Sequence, residues 1–171
     1  VVYVSGTLGD SALALQLLRE GNAPPPELAG RHHDPVARVS LGRELARASL
    51  ATAMIDISDG LCADLGHILE ESGGGARIET AALPLSAPFK KALAEKPHLL
   101  ELAWSGGEDY ELLFTSAPER QTEVAEAAAR AGVAVTRIGT INVADRGVCL
   151  LSADGRQLQT DVGGFNHFAR G

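Results

Sequence analysis

The stretch AMIDISDGLCADLGHILEESGGGARIET, Ala53 to Thr80, decides the fold class. Its first five residues, Ala53-Met54-Ile55-Asp56-Ile57, are apolar but for Asp56 and partly β-branched and predict a buried strand, which Ser58-Asp59-Gly60 breaks. Leu61, Leu65, Ile68 and Leu69 then recur at helical spacing until Gly73-Gly74-Gly75 stops the helix, and a strand follows at about Ala76 to Thr80.

The same alternation runs outward in both directions. On the N-terminal side, Val1-Val2-Tyr3-Val4-Ser5 reads as a strand and Gly6-Thr7-Leu8-Gly9 as a turn. Asp10 is placed to cap a helix that Gly21 ends. Residues 22–37 carry Pro24-Pro25-Pro26 and then Gly30-Arg31-His32-His33-Asp34-Pro35, so they are expected to be a long irregular connection with its two histidines solvated. A helix is expected from Ser40 to about Ala51.

On the C-terminal side come a turn at Leu83-Pro84-Leu85 and short helices from Pro88 to about Leu102, interrupted near Pro97. A strand at Tyr110 to Thr115 and an alanine-rich helix from Glu119 to Ala131 follow. Two more strands, Val133 to Ile141 and Val148 to Ser152, are joined by a polar turn, and the tail from Val162 to Phe168 reads as irregular. The order of elements predicts one α/β (α+β) domain with a mixed sheet spanning residues 1–171.

Composition narrows the function. The 171 residues are 45% hydrophobic, enough for one domain with a sizeable core. Acids outnumber bases 22 to 15 for a net charge of −7, and only 4% of residues are aromatic, which argues against a nucleic-acid groove. No apolar run approaches the roughly 20 residues of a membrane helix, so a soluble, cytoplasmic domain is expected. The chain starts at Val1 and its single methionine is Met54, so it is expected to be part of something longer. Cys62 and Cys149 lie far apart without metal-ligand spacing and are expected to be reduced thiols.

Two loops carry the candidate chemistry. In a strand, Asp56 shares a face with Met54, opposite Ile55 and Ile57, so a carboxylate stands where a core residue is expected and calls for a cation, a donor or water. Asp59 either caps the following helix or joins Asp56 in holding Mg²⁺, with Ser58 and the helix N–H groups meeting phosphate oxygens. Ser105-Gly106-Gly107-Glu108-Asp109-Tyr110-Glu111 crowds three acids around a tyrosine after two glycines, and reads either as a polar-ligand loop or as an acidic loop entering a strand. Gly6-Thr7-Leu8-Gly9-Asp10 lacks the Lys-Ser/Thr of a P-loop and reads as a tight turn. Trp104 is expected to pack, whereas Phe165 follows two glycines and could lie against a planar substrate. No Ser/His/Asp triad or Cys nucleophile is present.

Taken together, Tyr3 to Asp10, Met54 to Leu61, Ser105 to Thr115 and Gly164 to Phe168 resemble the C-terminal half of the thiamine-monophosphate kinase family, in order and spacing across essentially the whole chain. That family belongs to a superfamily with aminoimidazole ribonucleotide synthetase. The resemblance implies ATP-dependent phosphorylation of thiamine monophosphate to thiamine diphosphate. It implies Mg²⁺ ligands at Asp56 and Asp59, ATP contact by Ser58, and substrate contact by Glu108 and Phe165, with no general base assigned. Phe165 stands where tryptophan or tyrosine is frequent, and Asn166 where aspartate is common. The implied fold is a three-layer α/β/α domain, partly ferredoxin-like in topology. The ATP-binding N-terminal domain, through which the full-length protein would dimerise, is absent from the chain, so the chain alone is expected to be inactive. Another ATP-dependent enzyme of the superfamily with a different acceptor, or a ligand-binding module without activity, are the alternatives.

Overall fold

The computed structural model describes residues 1–143 and 146–158. In these residues one mixed sheet is built from β1 (Val2–Ser5), β2 (Ala53–Asp56), β3 (Gly75–Glu79), β4 (Leu112–Thr115), β5 (Val135–Asn142), β6 (Gly147–Leu151) and β7 (Gln157–Leu158). The strand order is β2-β4-β1-β5-β3-β6-β7. Neighbours are antiparallel except β3 and β6, which run parallel. Although β5 and β6 are consecutive in the chain, they do not pair; β3 lies between them.

The helices are α1 (Asp10–Arg19), α2 (Pro26–His33), α3 (Val39–Arg47), α4 (Leu61–Ser72), α5 (Ala87–Glu95), α6 (Leu102–Ser105) and α7 (Gln121–Ala131). They cover both faces of the sheet. Successive side chains of a strand point to opposite faces, and β1 shows the consequence. Val2 and Val4 pack with Leu13 of α1, Leu65 of α4 and Phe89 of α5. Tyr3 packs instead with Leu41 and Leu45 of α3 and Val124 of α7. The result is the expected three-layer α/β/α arrangement. Tyr3 and Phe114 are directly paired across β1 and β4, and their rings stack with centroids 5.3 Å apart.

Three local expectations are corrected. Residues 22–37 contain the regular helix α2, because Pro25 is its N-cap and Pro26 its first residue, where a helix needs no N–H and favours proline's fixed φ. Asp10 does not cap α1: Gly9 is the N-cap, and buried Asp10 accepts hydrogen bonds from Thr7 Oγ1 and Ser86 Oγ, each at 2.6 Å. The strand β2 is not buried on both faces. It lies at the sheet edge, where Met54 and Asp56 are exposed, so Asp56 does not occupy a core position. The expected irregular tail, with Phe165 and Asn166, lies outside the described residues.

A candidate substrate site between two interlocked loops

The loop after β2 and the loop before β4 are tied together by main-chain hydrogen bonds. Glu108 N–H donates to Ser58 O, Tyr110 N–H to Ile57 O, and Ile57 N–H to Glu111 O, each at 2.8 Å. Making these bonds puts Glu108 and Tyr110 at φ 66° and 50°, a left-handed conformation that costs a non-glycine residue energy. The approach is so close that a Cβ on Gly107 would lie 2.3 Å from Ser58 O. At Gly60, where φ is +115°, a Cβ would come within 2.9 Å of Ser105 O.

The turn between β2 and α4 is organised by Asp64. Its Oδ2 accepts from the main-chain N–H groups of Ser58, Asp59 and Gly60 at 2.9, 3.1 and 3.2 Å. Burial raises the Asp64 pKa above the ordinary carboxylate value, against the pull of those N–H groups. One expectation changes as a result. Asp59 does not cap α4, whose N-cap is Gly60, and its side chain is exposed. Asp64 takes the main-chain N–H groups of Ser58, Asp59 and Gly60, which leaves the Ser58 hydroxyl as the donor that residue offers.

The exposed carboxylates gather around Tyr110. Its phenol donates to Glu108 Oε2 at 3.0 Å, and its pKa is raised by that bond and by the charge on Glu108, with Asp56 and Asp59 adding to the effect. Beside this group opens a cavity of about 510 Å³, lined by Ser58, Asp59 and Glu108, by Ser11 and Leu15 of α1 and by His32 of α2. The structure therefore brings together three of the residues expected at the site. Asp56 lies beyond the cavity lining but within electrostatic reach of the same tyrosine.

Among the described residues neither Asp56 nor Asp59 accepts a hydrogen bond or forms an ion pair, so their oxygens are free for a hard, partly hydrated cation. Asp59 also groups with Asp64 and His67, with ligand atoms within 4.8 Å of one another.

The other two acids of the second loop are anchors. Asp109 Oδ2 accepts from Gly9 N–H at 2.8 Å and so holds the start of α1. Burial pushes its carboxyl up to about 8, with the N–H groups of Gly9 and Ser11 opposing and the charges of Asp10 and Glu111 reinforcing the shift. Glu111, 1% exposed, accepts from Ser5 Oγ at 2.5 Å, from Arg31 Nη1 at 3.0 Å, and from Arg38 Nε and Nη2 at 2.6 and 2.5 Å. A carboxylate gripped by two guanidiniums ties α2 and the segment after it to the sheet. Asp64, His32, Arg31 and Arg38 were not expected at the site. The crowding of acids near Tyr110, more than any turn requires, was the one signal that cations had to come from elsewhere in the chain.

Fold and site define an α/β domain with a cavity beside a pair of interlocked acidic loops. The chain belongs to the family described as AIR synthase related protein, C-terminal domain, whose model matches residues 1–151. Within it the chain is similar to thiamine-monophosphate kinases: it is 39% identical to that of Escherichia coli K12 over 173 residues, covering 98% of this chain and 52% of the relative. The crystal structure of thiamine-monophosphate kinase from Stenotrophomonas maltophilia superposes with a TM-score of 0.80 at 36% identity, covering 92% of this chain and 50% of that one. A structure described as AaThiL complexed with AMPPCP and TMP superposes at 0.75 with 35% identity, covering 93% and 48%. The chain thus spans about half the length of the relatives it matches.

Proposed function

We propose that this chain is the substrate-side part of an ATP-dependent kinase that converts thiamine monophosphate to thiamine diphosphate. The observation that carries the reading is the meeting of Ser58, Asp59 and Glu108 in the lining of a single cavity, built by loops distant in sequence. The similarity to thiamine-monophosphate kinases over 98% of the chain supports the choice of acceptor. The ATP-binding part, and the dimer contact expected within it, would be supplied by the rest of a longer protein, and a reaction drawing on ATP would take place in the cytoplasm.

In this reading Asp56 and Asp59 hold Mg²⁺, which supplies charge neutralisation to the phosphoryl groups when bound. The acceptor oxygen is already anionic at neutral pH, so no side chain needs to remove a proton from it. The chain's own residues bind and align. The Ser58 hydroxyl donates to a phosphate oxygen of ATP, and Glu108, held by Tyr110, meets a polar or cationic group of the thiamine moiety. Phe165, outside the described residues, lies against one of its rings.

Turnover of thiamine monophosphate by the full-length protein with ATP and Mg²⁺, followed chromatographically as thiamine diphosphate, tests the reading. Asp56→Ala should lower the rate by about tenfold or more, because a lost metal ligand removes charge stabilisation. The 171-residue chain alone should give no product. Turnover of a different phosphorylated acceptor in place of thiamine monophosphate would reassign the substrate.

A further inference from the structure

The helix α2 is held in place by charge. Arg31 near its end and Arg38 just beyond it both grip the buried Glu111 carboxylate. His32 follows Arg31, and its Nδ1 lies 3.0 Å from the hydroxyl of buried Ser11, the second residue of α1. The imidazole lines the same cavity as Ser58, Asp59 and Glu108. With Nδ1 engaged by Ser11, Nε2 is the ring nitrogen left for a ligand, and among the described residues it has no partner. In the tautomer where Ser11 donates to Nδ1, Nε2 carries the proton and is a donor.

Position along α1 selects the ligand group. The N-terminal turn of α1 abuts the second loop, since a Cβ on Gly106 would sit 2.5 Å from Ala12 Cβ. Arg19, which also lines the cavity, is eight residues further on from Ser11, about 12 Å along the helix. His32 therefore stands at the end of the cavity nearest Ser58 and Asp59, beside the positive end of the α1 dipole. Asp59 and Glu108 add negative charge to the same cavity. A ligand carrying a cationic ring and a phosphate finds an acceptor for the one and a donor for the other.

We propose that His32 is a specificity-determining residue that donates a hydrogen bond from Nε2 to the phosphate of the acceptor substrate. The assignment rests on the reading of the acceptor as thiamine monophosphate. Ser11 and the Arg31–Glu111 pair act through it as positioning groups.

The test uses the full-length protein with His32→Ala, His32→Asn and His32→Gln, each checked for an unchanged thermal midpoint. Asn places a polar group near the Nδ1 position and keeps a partner for Ser11; Gln places an N–H near the Nε2 position. A lost hydrogen bond to a charged group should raise KM for thiamine monophosphate about tenfold or more in the Ala and Asn variants, with the Gln variant within about threefold of wild type. KM for ATP and inhibition by thiamine, which lacks the phosphate, should stay unchanged. A wild-type KM in His32→Asn would show that the residue serves only Ser11. An equal loss of thiamine inhibition would place His32 at a ring instead, and either result overturns the proposal. Absence of thiamine monophosphate turnover in the wild-type protein would instead remove the underlying functional reading, and this assignment with it.

Discussion

Asp109 shows what one buried carboxyl does for the elements around it. It holds the start of α1 through Gly9 N–H, and burial keeps its proton on up to about 8. The folded chain thus retains this proton to higher pH than the unfolded chain, and the stability associated with Asp109 is greatest below the ordinary value of 3.8 and declines as pH rises toward about 8. Asp109→Asn keeps an acceptor oxygen for Gly9 and has no charge to bury. Thermal midpoints measured at pH 5 and pH 8.5 should show the variant gaining on wild type at the higher pH, and a constant difference would mean that Asp109 is ionised in the fold throughout. Cys62 titrates less usefully: burial pushes its thiol up to about 12, which makes it a packed, unreactive group.

Among the elements, the loops and α2 carry the site, and their glycines separate conformational need from mere tolerance. Gly107 has no room for a side chain because Ser58 O is in the way. Gly107→Ala should therefore force the two loops apart and cost about 2 kcal/mol or more. Gly30, inside α2 and exposed, would put a Cβ into open space. Gly30→Ala should stabilise by about 0.5–1 kcal/mol through helix propensity and reduced freedom of the unfolded chain. Chemical denaturation of both variants checks the contrast, and similar values would mean that the loop interlock contributes nothing to stability. The helix α2 is hidden in the sequence because proline's effect depends on position: in a first turn it favours what it forbids further along.

At the scale of the molecule, two hydrophobic clusters sandwich the sheet, and one buried ion cluster joins α2 to it. Ser5 lies on β1, Glu111 immediately precedes β4, and Arg31 and Arg38 flank the end of α2, so this cluster links segments more than 70 positions apart. Glu111→Gln would leave two guanidiniums without their anion. The expected loss is about 3 kcal/mol in chemical denaturation, with faster amide exchange over residues 26–33 than over β1. Unchanged exchange in α2 would show that apolar contacts such as that of buried Leu28 hold it without the carboxylate.

How much of this was legible before folding follows from the range of the forces involved. Periodicity is local, so the strand–helix–strand unit from Ala53 to Thr80, the helix closed by Gly132 and the mixed α/β class could be read from spacing alone. The two acidic loops stood out because their residue types exceed what a turn requires, and their resemblance to one family named the chemistry. Tertiary structure alone decided that β2 is an edge strand exposing Asp56, that Asp64 rather than Asp59 organises the turn, and that β3 separates β5 from β6. It also moved His32 from an expected solvated loop to the wall of the cavity. The edge position of β2, the strand order and the place of His32 depend on partners distant in sequence, and the choice of Asp64, whose partners are local, on the burial the fold gives it; the cost of burying a carboxylate or leaving an N–H unpaired is set by what the fold brings beside it, and spacing along the chain does not encode that.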